Sequence, residues 1–155
     1  MRTVSKGFSS CINVLVVLFV LLSDQILKFM VVKSLNRGES IYVWSFFNVV
    51  RVENKGITFG LLNGALSPLL LIFVSLLVMI LLCSWIMKDP SCQFPASLVM
   101  GGAIGNLVDR IIYGAVIDFL DFHLINYHWP AFNIADSAIV IGGAVLFFIL
   151  YRKNG

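Results

Sequence analysis

The residues of this chain that could do chemistry are a few acids, amides and bases set among apolar runs. Asp118 and Asp136 are the pair of most interest. One loop joins them, so both reach the same place. Two carboxylates that share a site do not ionise independently, and one keeps its proton. The result is one base and one acid, which is what water-mediated amide hydrolysis needs. Around them lie Asn54, Asn106, Asn133 and Arg110, groups that can hold a peptide backbone or orient the acids. Asp24 and Lys28 stand at i and i+4, on one face of a helix, and Asn106 and Arg110 share that spacing with Asp109 beside them.

Each of these features has a plainer reading. Asp24 and Lys28 also read as an ion pair that neutralises itself. Asp109 and Arg110 could mark the water boundary at a helix end. Asn133 and Asp136 sit where an N-cap and a first-turn acid belong. Asp118, in Val116-Ile117-Asp118-Phe119, could be an ordinary loop acid. His123 and His128 read as surface histidines, a poor metal pair without further ligands, and no zinc-type cluster of His, Cys and acids appears. The 3 cysteines form no C-x-x-C, and Cys11 and Cys83 lie in apolar runs, so they read as small buried hydrophobes.

The elements that must position these groups follow from composition. Hydrophobic residues make up 59% of the 155 residues and charged residues 12%, against about 25% charged in a soluble domain. The bilayer is the expected solvent. A net charge of +3, with no run of bases, argues against a nucleic-acid partner. A membrane helix needs about 20 mostly apolar residues. Segments 11–32, 65–87, 94–113 and 133–151 meet or approach that length, which predicts a single domain over 1–155 with four transmembrane helices. Arg2 and Lys6 ahead of an apolar run imitate a secretory signal, but no small-x-small site follows, so the segment reads as a retained first helix. Between the spans, 41–44 and 46–52 are rich in β-branched and aromatic residues and read as short strands. The aromatic loop 115–133 is expected on the membrane surface, with a short amphipathic helix as one option.

Topology then gathers the polar residues. Asp24 and Lys28 fall late in the first span, Asn106, Asp109 and Arg110 late in the third, and Asn133 and Asp136 open the fourth. Odd spans end, and even spans begin, on one side of the membrane, so one polar pocket is expected near that face. Gly101, Gly105 and Gly142-Gly143 offer small surfaces through which the third and fourth spans can pack closely. The basic residues near span ends lean toward cytoplasmic termini. A proton-coupled transporter is a rival reading, since intramembrane charges mark ion paths too. It needs polar residues on both sides of the midplane, and the terminal halves of the first and last spans are almost wholly apolar. A lipid-binding scaffold is a second rival, and it would tolerate Asp118→Asn.

The same residues carry a resemblance to a known family. Asp24-Gln25-x-x-Lys28, Asn54-x-Gly56-x-x-Phe59-Gly60, Gly101-Gly102-x-x-Gly105-Asn106-x-x-Asp109-Arg110, Val116-x-Asp118-Phe119 and Phe132-Asn133-x-Ala135-Asp136 occur in that order. Together they resemble the motifs of bacterial lipoprotein signal peptidases (signal peptidase II), which are membrane aspartate endopeptidases. The resemblance implies an all-α membrane protein of four transmembrane helices, with a small periplasmic β-rich loop region and a periplasmic surface loop or helix. It implies Asp118 and Asp136 as the catalytic dyad, with Asn54, Asn106, Arg110 and Asn133 binding substrate or orienting the dyad. Asp24, Lys28, Gly56, Gly102 and Asp109 would be structural. The substrate would be a diacylglyceryl-modified prolipoprotein, cut just before its lipidated cysteine. The expected setting is the bacterial cytoplasmic (inner) membrane, with cytoplasmic termini and a site near the outer face among membrane lipids. Globomycin would be the inhibitor, and neither metal nor cofactor is expected.

Overall fold

A computed structural model of the chain describes residues 2–56, 67–86 and 89–154. Phe59 and Gly60 of the loop motif, and residues 65, 66 and 87 of the predicted second span, lie outside them.

The first apolar run forms helix α1, Arg2–Ser34. Arg51 caps its end: its Nη1 donates to the last-turn carbonyl of Val32 at 3.1 Å and to that of Leu35, just past the helix, at 2.9 Å. A cation there satisfies carbonyls that have no partner within the helix and complements its negative end. Helix α2, Pro68–Ile86, is apolar on every face, as expected of a helix without a water-facing side. A 3-10 turn at Pro90–Cys92, capped by Asp89, leads into α3, Gln93–Tyr113. Gly114 ends α3 in the left-handed conformation (φ 70°), with its N–H donating to the Arg110 carbonyl. That conformation costs glycine little and other residues more. Helix α4 is Ile134–Asn154.

Between the helices lie strands β1 (Ser40–Trp44), β2 (Phe47–Asn54), β3 (Val116–Leu124) and β4 (Tyr127–His128), ordered β1-β2-β3-β4 and antiparallel throughout. The two strands expected near 41–52 are β1 and β2. Loop 115–133 differs from expectation: its first half is β3, not an amphipathic helix. The reason is tertiary. The β-branched and aromatic run Val116–Leu124 finds β2 beside it, with Val52 opposite Asp118 and Asn54 opposite Val116, and pairing satisfies the backbone along its length.

Two clusters tie the layers together. Val31 of α1 and Leu35, just after its end, pack on Ile117 and Phe119 of β3, and Cys92, Ala96 and Val99 pack on Leu146 of α4. Elsewhere the helices turn large apolar side chains outward: Phe19 is 73% exposed and Leu69 76%. Asp24, Lys28 and Asp109 are, by contrast, fully buried. This arrangement, apolar outside and charged inside, suits lipid. Among the described residues two stretches, Cys11–Ser34 and Ile134–Lys153, have the length and composition to cross a membrane. Cys92 is buried as a small hydrophobe, but Cys11 and Cys83 lie on exposed helix faces rather than in a core.

Small residues bring α3 against its neighbours. A side chain at Gly102 would strike the backbone carbonyl of Ala135, and one at Gly105 would come within 2.8 Å of the Asp24 carboxylate. Of the glycine pair on α4 only Gly142 makes a close approach, to the Pro95 carbonyl; nothing lies near Gly143.

Candidate active site

Asp118 on β3 and Asp136 in the first turn of α4 meet through Asn133. The Asn133 amide nitrogen donates to Asp118 Oδ1 at 2.7 Å, and its amide oxygen accepts the Asp136 N–H at 2.7 Å. Asn133 is thus the N-cap of α4 and a clamp on Asp118 at once. Asn54, from the end of β2, donates to Asp118 Oδ2 at 3.0 Å. Its own oxygen accepts the Gly56 N–H at 2.8 Å, a turn that fixes the amide's direction. Both Asp118 oxygens are therefore held by amide donors. Burial nonetheless pushes the Asp118 carboxyl up to about 7, with the negative charge of Asp136 adding to the rise and the amides of Asn54 and Asn133 opposing it.

Asp136 Oδ1 accepts from Asn106 Nδ2 at 2.9 Å. Its Oδ2 is buried and has no hydrogen-bond partner among the described residues. Asn106 in turn is oriented from behind. Lys28 Nζ donates to Asn106 Oδ1 at 2.9 Å, so the amide must turn its nitrogen to Asp136. Lys28 also contacts Asp24 Oδ2 and Asp109 Oδ2, both at 2.7 Å. The pair expected to neutralise itself is instead a buried hub of two acids and one base.

The acids of that hub hold the elements that carry the dyad. Asp24 Oδ1 accepts the Ala135 N–H at 2.9 Å, fixing the start of α4 against α1. Asp109 Oδ2 accepts the Ile117 N–H at 3.0 Å, fixing β3 one residue before Asp118. Asp109 is thus an interior anchor, not a mark of the water boundary. Gln25 completes the hub and carried no assigned role from the sequence. Its Nε2 donates to Asp109 Oδ1 at 2.9 Å and to the Gly105 carbonyl at 3.1 Å. The only signal for it was its place directly after Asp24. Arg110 stands apart from these ion pairs, donating to the carbonyls of Asn106 and Gly56 at 3.3 Å each.

Among the described residues, two apolar cavities open beside the dyad. One, of about 260 Å³, lies between Asp136 and Ser137, Val140, Trp129 and Phe132. The other, of about 220 Å³, runs between α2 and α3 past Asn106 and Arg110. His128 lies away from the dyad, with Nδ1 on the Asp121 carboxylate at 2.9 Å and its ring stacked on His123. Among the described residues no group of three or more His, Cys, Asp or Glu is arranged to hold a metal ion.

Comparison with known proteins shows the family. The family described as Signal peptidase (SPase) II matches residues 16–152. The lipoprotein signal peptidase of Paraburkholderia phymatum is 44% identical, over 98% of this chain and 96% of its own length. That of Cupriavidus taiwanensis is 46% identical, over 83% of this chain and 76% of its own. A bacterial membrane enzyme solved by the in meso method at 2.3 Å resolution superposes with a TM-score of 0.83 at 30% identity, over 92% of this chain and 89% of that one. A second, at 1.9 Å, gives 0.77 at 31% identity, over 89% and 91%. With the family's match running through every helix and strand that holds the two aspartates, this chain belongs to the signal peptidase II family of membrane proteases.

Proposed function

We propose that the protein is an aspartic endopeptidase that removes signal peptides from diacylglyceryl-modified prolipoproteins, cutting just before the lipidated cysteine, with Asp118 and Asp136 as its dyad. The observation that carries this reading is the clamp of Asn133 on two buried aspartates from separate elements. Asp118 is the proton donor, since burial beside Asp136 keeps its proton on to about pH 7. Asp136 is the base. It lies in the first turn of α4, where the helix dipole favours a negative charge, and its Oδ2 is not committed to another described group.

In the first step Asp136 takes a proton from water, the resulting hydroxide attacks the scissile carbonyl carbon, and Asp118 gives its proton to the carbonyl oxygen. The product is a neutral gem-diol. In the second step Asp136 passes its proton to the amide nitrogen as the C–N bond breaks, while Asp118 recovers a proton from a gem-diol hydroxyl. Both acids return to their starting states. Asn54, Asn106 and Asn133 hold the two carboxylates in place, and Arg110, with the Gly56 carbonyl, lies where a substrate backbone would be held.

The setting follows from the same reading. Four transmembrane helices, α1 to α4, form one domain in the bacterial inner membrane, with termini in the cytoplasm and the sheet at the outer face. The apolar cavities beside Asp136 and Asn106 suit a substrate that keeps its acyl chains and apolar signal segment in lipid. A globomycin-type inhibitor would compete there.

The test is cleavage of a diacylglyceryl-modified prolipoprotein by the purified protein, beside Asp118→Asn and Asp136→Asn variants of verified fold. Cleavage by the parent and loss in both variants is expected. Cleavage that survives either substitution removes that aspartate from the chemistry.

A further inference from the structure

Behind β3, on the side away from the dyad, α1 and the sheet do not close on each other. Leu27, Met30 and Val31 of α1 face Ile41 of β1, Val49 of β2 and Phe119 of β3 across a cavity of about 390 Å³ with apolar walls. It is larger than either cavity beside the dyad. Val31, Leu35 and Phe119 of its lining also pack with Ile117, so both sequence neighbours of Asp118 belong to the apolar cluster at this groove.

We propose that this groove binds an acyl chain of a bilayer phospholipid from the leaflet on the sheet's side. Three observations favour that occupant. The groove is continuous with the outer surface of α1 inside Cys11–Ser34, where Leu27 and Met30 line it while being 37% and 56% exposed. A lipid chain reaches it without leaving hydrocarbon. Its walls offer almost no polar surface, so water filling it would find few partners. At the end of α1, beside the lining residues Ser34 and Leu35, Arg51 ties β2 to the carbonyls of Val32 and Leu35, so a cation stands at the end of α1 and the apolar lining Leu27, Met30 and Val31 precedes it along the helix, the order in which a lipid presents headgroup and chain. The substrate's own chains are not the occupant assigned here, because Phe119 projects into the groove while Asp118 is held by Asn54 and Asn133. A chain seated there braces the strand that presents Asp118.

The inference rests on the proposed placement of the sheet at the membrane face. The protein is reconstituted in phosphatidylethanolamine and phosphatidylglycerol vesicles that contain a phospholipid with a diazirine in its acyl chain, irradiated, and mapped by peptide mass spectrometry. Expected labels fall on Met30, Ile41 and Val49 as well as on Phe19 and Leu22 of the open α1 face. When excess detergent is added before irradiation, the labels at Phe19 and Leu22 vanish and those in the groove persist. Val49→Trp, which fills the groove, abolishes groove labelling and leaves Phe19 and Leu22 labelled. Ser34→Phe, at the groove's edge, does the same if Val49→Trp does not fold. Added diacylglyceryl prolipoprotein leaves the groove label unchanged. Labelling at Phe19 and Leu22 but not at Ile41 or Val49 overturns the groove alone, as does displacement by substrate. Absence of label at all these positions overturns the membrane placement as well.

Discussion

Asp118 titrates against opposing neighbours. Amide donors from Asn54 and Asn133 favour its charged form, while burial and the Asp136 charge disfavour it, and the latter win to give about 7. A proton donor works only while protonated. Turnover limited by Asp118 is therefore full below that value and falls as pH rises through it, by about tenfold per further unit. Asn54→Ala removes one group that stabilises the carboxylate, so the alkaline limb of kcat/KM is expected to move to higher pH, at lower turnover. A limb left in place by N54A would take the donor role away from Asp118. Lys28 offers a second test. Replacing it with Met leaves Asp24 and Asp109 buried without their counter-charge, a change that costs about 3–5 kcal/mol in comparable buried pairs. A large drop in thermal midpoint is expected. Lys28→Arg should not restore the parent, since a planar guanidinium cannot replace three converging ammonium bonds in the same space. Gln25 belongs to this scale as well: an amide in an apolar helix could have faced any direction, and only the approach of α3 gave it Asp109 and Gly105 as partners.

At the level of elements, α3 is the piece that decides whether the dyad forms. Its glycines set the separation from α1 and α4, and its Asn106 and Asp109 hold Asp136 and the start of β3. Gly102→Ala drives a methyl group into the Ala135 carbonyl, in the first turn of α4 beside Asp136. Overpacking of this kind costs about 1–3 kcal/mol, and both thermal midpoint and turnover are expected to fall. Gly143→Ala meets nothing within 4 Å and should change neither. Equal effects from the two would show that the α3–α4 contact is not what the glycine at 102 serves. The small-residue surface on α3 was legible from spacing alone. That β3 is a strand was not, because a short run of β-branched and aromatic residues has no period that separates it from an interfacial helix; β2 had to be beside it.

For the molecule as a whole, the proposed four-helix crossing puts the Pro90–Cys92 turn and both termini on one side and the β1–β2 turn on the other. With Cys11, Cys83 and Cys92 replaced, Ser91→Cys and Ser45→Cys are expected to react with a membrane-impermeant maleimide from opposite sides of sealed inner-membrane vesicles. Reaction of both from one side would break the topology while leaving the dyad geometry intact.

The sequence by itself determined that this chain belongs in a membrane, and under the proposed four spans its charges converge near one face. In that proposed crossing apolar length sets the spans, and the alternation of helix direction carries the late residues of odd spans and the early residues of even ones to the same side. It also determined which acids were candidates for the dyad, since carboxylates near an apolar interior are too costly to be there without partners. Which partner each acid takes was decided only in three dimensions. Asp24 looked paired with Lys28, yet it also caps α4, and Asp109 looked like a boundary residue, yet it holds β3. Those bonds join different elements, α1 to the start of α4 and α3 to β3, and their geometry exists only once the close packing of α3 has fixed the distance between backbones.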